Sequence, residues 1–226
     1  MERIPINPTA MKRLLLGLFI LFTFTGCFLK SVHPLVSEKD AVLMPGLEGT
    51  WLNDDELWTF INDPRNVTNL DLSKYELDVE FEEGEEIEET IYLVLVQKLD
   101  ENTVSDEEPY VLLGRIVQLN DHYFLDLSLF DFSLGEDDLI SAHQFPVHTF
   151  SKVTVDGDDL NIEFFKSAWI KELIESNRVR IKYEKVDESI LITASTKELQ
   201  KFVSKYAEDE DAFDDPVILE RTHENF

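Results

Sequence analysis

The stretch that decides the fold is TFSKVTVDGDDLNIEFF, residues 149–165. Apolar and polar residues alternate over 149–155 and again over 160–165, and a period of two is typical of a β-strand with one buried face. Residues 156–159, DGDD, lie between the two runs, and Asp-Gly between alternating runs is a strong hairpin signal. The stretch therefore predicts two adjacent antiparallel strands.

The same alternation continues along most of the chain from residue 49 onward. It predicts two more hairpins, one at 111–118 and 123–129 and one at 179–186 and 190–194. Further single strands are predicted at 58–61, 75–81, 90–97 and 217–219. Successive hairpins favour an antiparallel sheet, and a sheet of this many strands curls and loses its exposed edges by closing.

Two helices are predicted near the C-terminus. Ser167 is placed to cap the first helix, in which Trp169 and Leu173 share one face. Ser195 and Glu198 match a capping box at the start of the second, which carries apolar residues at helical spacing. The predicted fold is therefore mainly β: a single antiparallel meander barrel, with two helices near the C-terminus.

The start of the chain has the pattern of an export signal. Lys12 and Arg13 precede the uncharged run LLLGLFILFTF at 14–24, and small residues then precede Cys27. The run is about half the ~20 residues that a membrane-spanning helix needs, which favours a cleaved signal over a permanent span. One interpretation of this pattern is an ordinary secretory signal peptide, after which Cys27 stays unmodified.

Phe24-Thr25-Gly26-Cys27 resembles the lipobox of bacterial lipoproteins, with Phe in place of the usual aliphatic residue. The resemblance implies cleavage between Gly26 and Cys27, a lipid on the sulfur and an acyl chain on the new amine. It divides the chain into a signal peptide at 1–26, a lipidated Cys and tether at 27–46, and the barrel domain at 47–226. Phe28, rather than Asp, follows the Cys, which by the same resemblance favours the outer membrane of the bacterial envelope.

A second resemblance concerns the entry to the first strand. Gly49-Thr50-Trp51 resembles the Gly-x-Trp opening of lipocalin-like barrels. In that family the Trp closes the barrel floor and a basic residue near the chain end packs on it, which implies a cation–π contact with Arg221. The mature chain also resembles an uncharacterised group of bacterial lipoproteins with this opening, and that resemblance implies no activity.

Composition excludes several classes of function. The chain has 20 Lys and Arg against 47 Asp and Glu, a net charge of −27, and loss of residues 1–26 would make it −29. Such a surface repels a phosphate backbone, so no nucleic-acid partner is expected. The single Cys excludes an internal disulfide and any multi-Cys metal site. The acidic runs are interpreted as solvated loops that keep a tethered protein soluble.

Catalytic and metal-binding motifs are not evident. His143 and His148 are separated by a proline, so a shared metal is not expected, and the acidic runs lack the register of a calcium loop. Nucleophile elbows and phosphate loops do not occur in the sequence. We therefore expect no cofactor, no metal and no enzymatic activity. The alternative is an envelope hydrolase with a carboxylate and His site around His143 and His148.

Aromatic residues indicate where a partner could bind. Phe130, Phe132 and Phe145 lie on or beside predicted turns, where they could rim a pocket or contact surface, although most such residues are expected in the core. The expected function is that of a membrane-anchored binding module of the cell envelope. Its partner is expected to be an apolar small molecule or an envelope protein, in addition to the membrane that holds the lipid on Cys27.

Overall fold

The structure is a computed structural model, and it describes residues 28–62, 90–100, 103–104, 109–130, 146–187 and 189–223. These residues form thirteen strands and two α-helices. The strands are β1 (Lys30–Ser31), β2 (Ala41–Val42), β3 (Gly49–Leu52), β4 (Glu56–Ile61), β5 (Ile91–Asp100), β6 (Thr103–Val104), β7 (Tyr110–Leu119), β8 (His122–Leu129), β9 (His148–Asp156), β10 (Asp159–Phe164), β11 (Tyr183–Val186), β12 (Ser189–Ile192) and β13 (Val217–Thr222). The helices are α1 (Ser167–Glu175) and α2 (Thr196–Tyr206).

Eight strands close into an antiparallel barrel, in the order β3-β4-β5-β7-β8-β9-β10-β13. Each strand pairs with the next, β10 pairs with both β9 and β13, and β13 returns to β3 to complete the ring. Closure leaves the barrel with no free sheet edge. The predicted fold class, a mainly β meander barrel of lipocalin-like architecture with two late helices, is confirmed.

The predicted hairpins are present, and their turns explain why. Asn120, Gly157 and Asp187 sit at the three turns with φ values of 55°, 63° and 53°. Asn, Asp and Gly adopt this left-handed conformation more readily than other residues, which is why they mark tight turns. The third hairpin is shorter than predicted, because strand pairing in β11 begins at Tyr183 and not at residue 179.

An inner core fills the barrel. Its inward-facing side chains come from every barrel strand and from residues 44–47. Eight of them have no accessible surface: Leu47, Trp51, Val94, Ile116, Leu125, Leu160, Ile162 and Leu219. A water-sized void would leave the side chains around it accessible, so these eight are close-packed.

An outer core lies between the barrel wall and the two helices. Val117, Phe124 and Phe150 contribute from the outer face of β7, β8 and β9. The helices cover this face with their apolar stripes, through residues that include Ile170, Leu199, Phe202 and Val203. Phe165 sits at the centre, with its ring 4.4 Å from that of Phe213 and 5.6 Å from that of Phe150.

The predicted tether at 27–46 is wrong for its described part, residues 28–46. Leu29, Leu35 and Val36 are buried in the outer core, β1 pairs with β9 and β12, and β2 pairs with β7. The apolar residues of this segment follow neither a strand nor a helix period. The segment is irregular, and its side chains pack against the barrel wall wherever they meet it. The folded domain therefore begins well before residue 47.

The first helix starts differently from the prediction. Ser167 is the first residue of α1, and the N-cap position is held by Lys166 without a side-chain cap. The second start is as predicted, since the Ser195 and Glu198 capping box is present in α2. The strand predicted at 75–81 lies outside the described residues.

Candidate functional site

The barrel floor brings together the three residues that the lipocalin-like resemblance singled out. The guanidinium carbon of Arg221 lies 4.0 Å from the centre of the Trp51 ring, and the two residues are directly paired between β13 and β3. Gly49 lies beside them with φ of 127°, and a Cβ there would come within 2.6 Å of Arg221 Nη1. The predicted contact is therefore present, and it requires Gly at position 49.

Hydrogen bonds fasten the floor to the chain that enters β3. Arg221 donates to the carbonyl oxygens of Glu48, at 3.0 Å, and Gly46, and Trp51 Nε1 donates to Leu47 O at 2.8 Å. The Met44 amide donates to the Tyr92 hydroxyl, whose pKa is raised by burial. Residues 44–48 thus close this end of the barrel.

The opposite end of the barrel exposes apolar side chains, and we call Tyr110, Leu129 and Phe130 the barrel rim. The Phe130 amide donates to Val111 O at 3.2 Å, which holds the end of β8 against the start of β7. Tyr110 and Leu129 are more than half exposed, and Phe130 is half-buried. Phe132 and Phe145, the other predicted rim residues, lie outside the described residues.

Half-buried residues pack against the inner core at both ends of the barrel. Tyr123 and Val155 do so near the floor, and Leu112, Phe164 and Val217 do so at the rim. An apolar molecule could therefore contact this end, but the described inner core near Trp51 leaves no room for one. The described side chains around Trp51 thus fill the barrel at its floor.

His148 and Asp126 form a polar pair on the outer face of the barrel. His148 Nδ1 lies 2.8 Å from Asp126 Oδ1, and the side chains are 15% and 3% exposed. Carboxylates orient catalytic and metal-binding histidines through this same contact, which leaves Nε2 to act. The described residues show no hydrogen bond to Nε2 of His148. His143 and the other predicted site residues Gly26 and Cys27 lie outside the described residues.

The second oxygen of Asp126 has a structural partner. Oδ2 accepts the backbone amides of Leu35, at 2.7 Å, and Val36, at 3.1 Å. The buried carboxylate thereby holds the N-terminal segment on the barrel wall. These bonds account for the burial of Asp126 without a catalytic role.

A groove rich in cationic side chains lies between residues 178–182 and helix α2. We call it the basic groove and define it by five exposed residues: Arg178, Arg180, Lys182, Lys201 and Lys205. Its volume is about 520 Å³ and it is open to solvent. Tyr206 and Phe202 form its apolar side.

The carboxylate of Glu198 also lines the groove, and it is already hydrogen-bonded to Ser195. Its Oε2 accepts the Ser195 amide at 3.0 Å and the Ser195 hydroxyl at 2.8 Å, and these bonds lower the pKa of Glu198. Lys182 Nζ lies 3.6 Å from the same side chain. The groove therefore presents a net positive surface in a protein of net charge −27.

Sequence reasoning missed the basic groove, although a signal exists. Arg178, Arg180 and Lys182 alternate in an extended run, and Lys197, Lys201 and Lys205 recur every four residues along α2. The sequence therefore indicates two basic stripes, but it does not show that they lie side by side. Residues 178–182 meet α2 only because both pack on the outer core.

Within the described residues no cluster of three or more His, Cys, Asp or Glu side chains could hold a metal ion. Among the same residues, no helix has both the length and the apolar character to cross a membrane. No family model, no curated protein and no solved structure matches this chain.

Proposed function

We propose that the chain is a lipid-anchored protein of the bacterial cell envelope that binds an envelope protein through the barrel rim. The observation that carries the binding role is the combination of exposed Tyr110 and Leu129 at one end of the barrel with close packing at the other. Exposed apolar patches on a soluble surface mark contact sites. A rim site fits a protein partner better than an apolar molecule enclosed in the barrel.

The anchor in this proposal rests on the lipobox-like sequence that ends at Cys27. One lipid chain holds a protein marginally, and two or three hold it stably, at about 0.8 kcal/mol for each buried CH₂. The high negative charge suits a domain that must stay soluble beside a bilayer. The outer membrane is the proposed location.

Replacement of the modified residue tests the anchor. The Cys27→Ser variant is expected to accumulate as uncleaved precursor and to leave the detergent phase in a phase-partition experiment. A matched Ser31→Ala variant, four residues along the same segment, should be processed like the wild type. Normal processing and partitioning of Cys27→Ser would contradict the proposed anchor.

Site-specific crosslinking tests the rim. A photoreactive residue at Leu129 is expected to form a discrete adduct with one envelope protein in intact cells. Ile218 is a matched control, because it is also an exposed apolar residue on a barrel strand, 53% accessible against 58% for Leu129. Equal adducts from both positions, or none from Leu129, would contradict the rim site.

The His148 and Asp126 pair favours a second candidate, an envelope hydrolase in which His148 is the general base. In that case the purified protein would cleave chromogenic acyl esters, and His148→Gln would abolish turnover. His122→Gln is the matched control, because His122 also pairs with a carboxylate, that of Glu208 at 2.6 Å. Turnover that survives in His148→Gln would exclude this candidate.

A further inference from the structure

Positive charge is concentrated in one part of the chain, residues 166–206. This segment holds nine of the 20 Lys and Arg residues and only six of the 47 Asp and Glu residues. It contains α1, the β11–β12 hairpin, α2 and every residue of the basic groove. The rest of the protein is strongly acidic, so an anionic surface would attract this segment and repel the remainder.

Phe28, the first described residue after the proposed anchor, lies against this segment. Phe28 forms a β-bridge with Lys166, and its ring lies 4.8 Å from that of Phe164. Phe28 directly follows Cys27 in the sequence, so the proposed lipid would be attached one residue before this bridge. The described residues 28–46 pack on the barrel and provide no slack between the anchor and the domain.

Helix α1 connects the anchor to the basic groove. It begins at Ser167, directly after Lys166, and its nine residues span roughly 14 Å before the chain enters the groove at Arg178. Trp169 on its first turn contacts Tyr206, with ring centres 5.0 Å apart, and Tyr206 lines the groove. Leu29, which follows Phe28, and Phe202, which lines the groove, therefore pack in the same outer core.

We propose that the basic groove rests on the anionic phospholipid headgroups of the membrane that holds the lipid on Cys27. The inference rests on the proposed anchor and adds an orientation to it, with the barrel and its acidic loops turned away from the bilayer. Each Lys or Arg near an anionic surface strengthens the contact about fivefold. Tyr206 and Trp169 add aromatic rings of the kind that favour the bilayer interface.

The test uses the full chain as processed in cells, reconstituted in vesicles of phosphatidylcholine with or without about 30 mol% phosphatidylglycerol. Lys201→Cys carries a fluorescent label in the groove, and Lys98→Cys carries the same label at an exposed site on barrel strand β5. Acrylamide, a neutral quencher, reports access to the label. The Lys201 label is expected to lose access in anionic vesicles only, and the Lys98 label to keep it in both.

Two charge-reversal pairs serve as matched variants, each lowering the net charge by the same amount. Arg180→Glu with Lys182→Glu should restore acrylamide access to the Lys201 label, whereas Lys39→Glu with Lys98→Glu should not. Salt near ~1 M, which screens charges beyond about 3 Å, should also restore access without releasing the protein. Equal access to the Lys201 label in both vesicle types would overturn the orientation.

Flotation of the same samples separates the two proposals. Flotation with neutral vesicles supports the lipid anchor independently of the groove. Flotation with anionic vesicles alone, abolished by Arg180→Glu with Lys182→Glu, would overturn the anchor and support the groove. Flotation with neither vesicle would overturn both.

Discussion

At the scale of single residues, Arg221 contributes directly to closure of the barrel floor. It stacks on Trp51 and donates to the carbonyl oxygens of Gly46 and Glu48, so it joins the last strand to the segment that enters the first. The planar guanidinium suits both roles at once, which an ammonium group would not. The lipocalin-like resemblance predicted the contact, although the hydrogen bonds were visible only in the structure.

We expect Arg221→Met to lower the free energy of unfolding by about 2 kcal/mol, because the cation–π contact and two hydrogen bonds are lost. Chemical denaturation monitored by Trp fluorescence measures the change. Arg221→Lys keeps the charge without the planar fork and should recover only part of the loss. Wild-type stability in Arg221→Met would contradict a closing role for this residue.

Asp126 is the second residue with a clear individual effect. Its buried carboxylate accepts hydrogen bonds from the backbone amides of Leu35 and Val36 and lies against Nδ1 of His148. An Asn side chain in its place would turn its NH₂ group toward one of these nitrogen atoms. Asp126→Asn should therefore cost about 2 kcal/mol. It should also speed hydrogen exchange at Leu35 and Val36. The exposed Asp121→Asn is the matched control, and unchanged exchange in Asp126→Asn would refute the docking role.

At the scale of elements, α2 shows how a local signal predicts a helix. Ser195 and Glu198 begin it as a capping box, and Leu199, Phe202 and Val203 form the buried face. The bonds from Ser195 lower the pKa of Glu198 below its usual value of 4.5. The stabilisation from this ionised carboxylate is therefore complete above pH 4.5, and it is lost as the pH falls through the lowered value.

The matching prediction is that Ser195→Ala lowers the free energy of unfolding by about 1 kcal/mol at neutral pH. The gap from the wild type should narrow as the pH falls below 4.5, because protonated Glu198 no longer gains from the Ser195 hydroxyl. Thermal unfolding followed by circular dichroism over a pH series provides the measurement. Ser204→Ala, within the same helix, is the control, and a gap that widened in acid would contradict the capping role.

Elements with a regular period could be predicted from the sequence, and irregular ones could not. The hairpin at Gly157 is marked by its turn residues, and helix α2 is marked by its apolar stripe. Both signals come from residues that are close together in the sequence. Residues 28–46 were mistaken for a tether, because Leu29, Leu35 and Val36 are buried by distant strands and follow no period. The basic groove was missed for the same reason, since its two stripes meet only through tertiary packing.

At the scale of the whole molecule, the protein is a barrel with two cores and an uneven charge. The inner core fills the barrel, the outer core attaches the helices, and the N-terminal segment contributes side chains to both. This arrangement connects Phe28 rigidly to the folded domain. A lipid on the preceding residue would therefore control the orientation of the whole barrel, as well as its location.

We propose above all that the mature protein begins at a lipidated Cys27. Intact-mass analysis of the protein extracted from the bacterial envelope tests it most directly. We expect a chain that starts at residue 27 and carries a diacylglyceryl group on the sulfur and an acyl chain on the amine. A mature chain that retains residues before Cys27, or one that begins there without lipid, would contradict it.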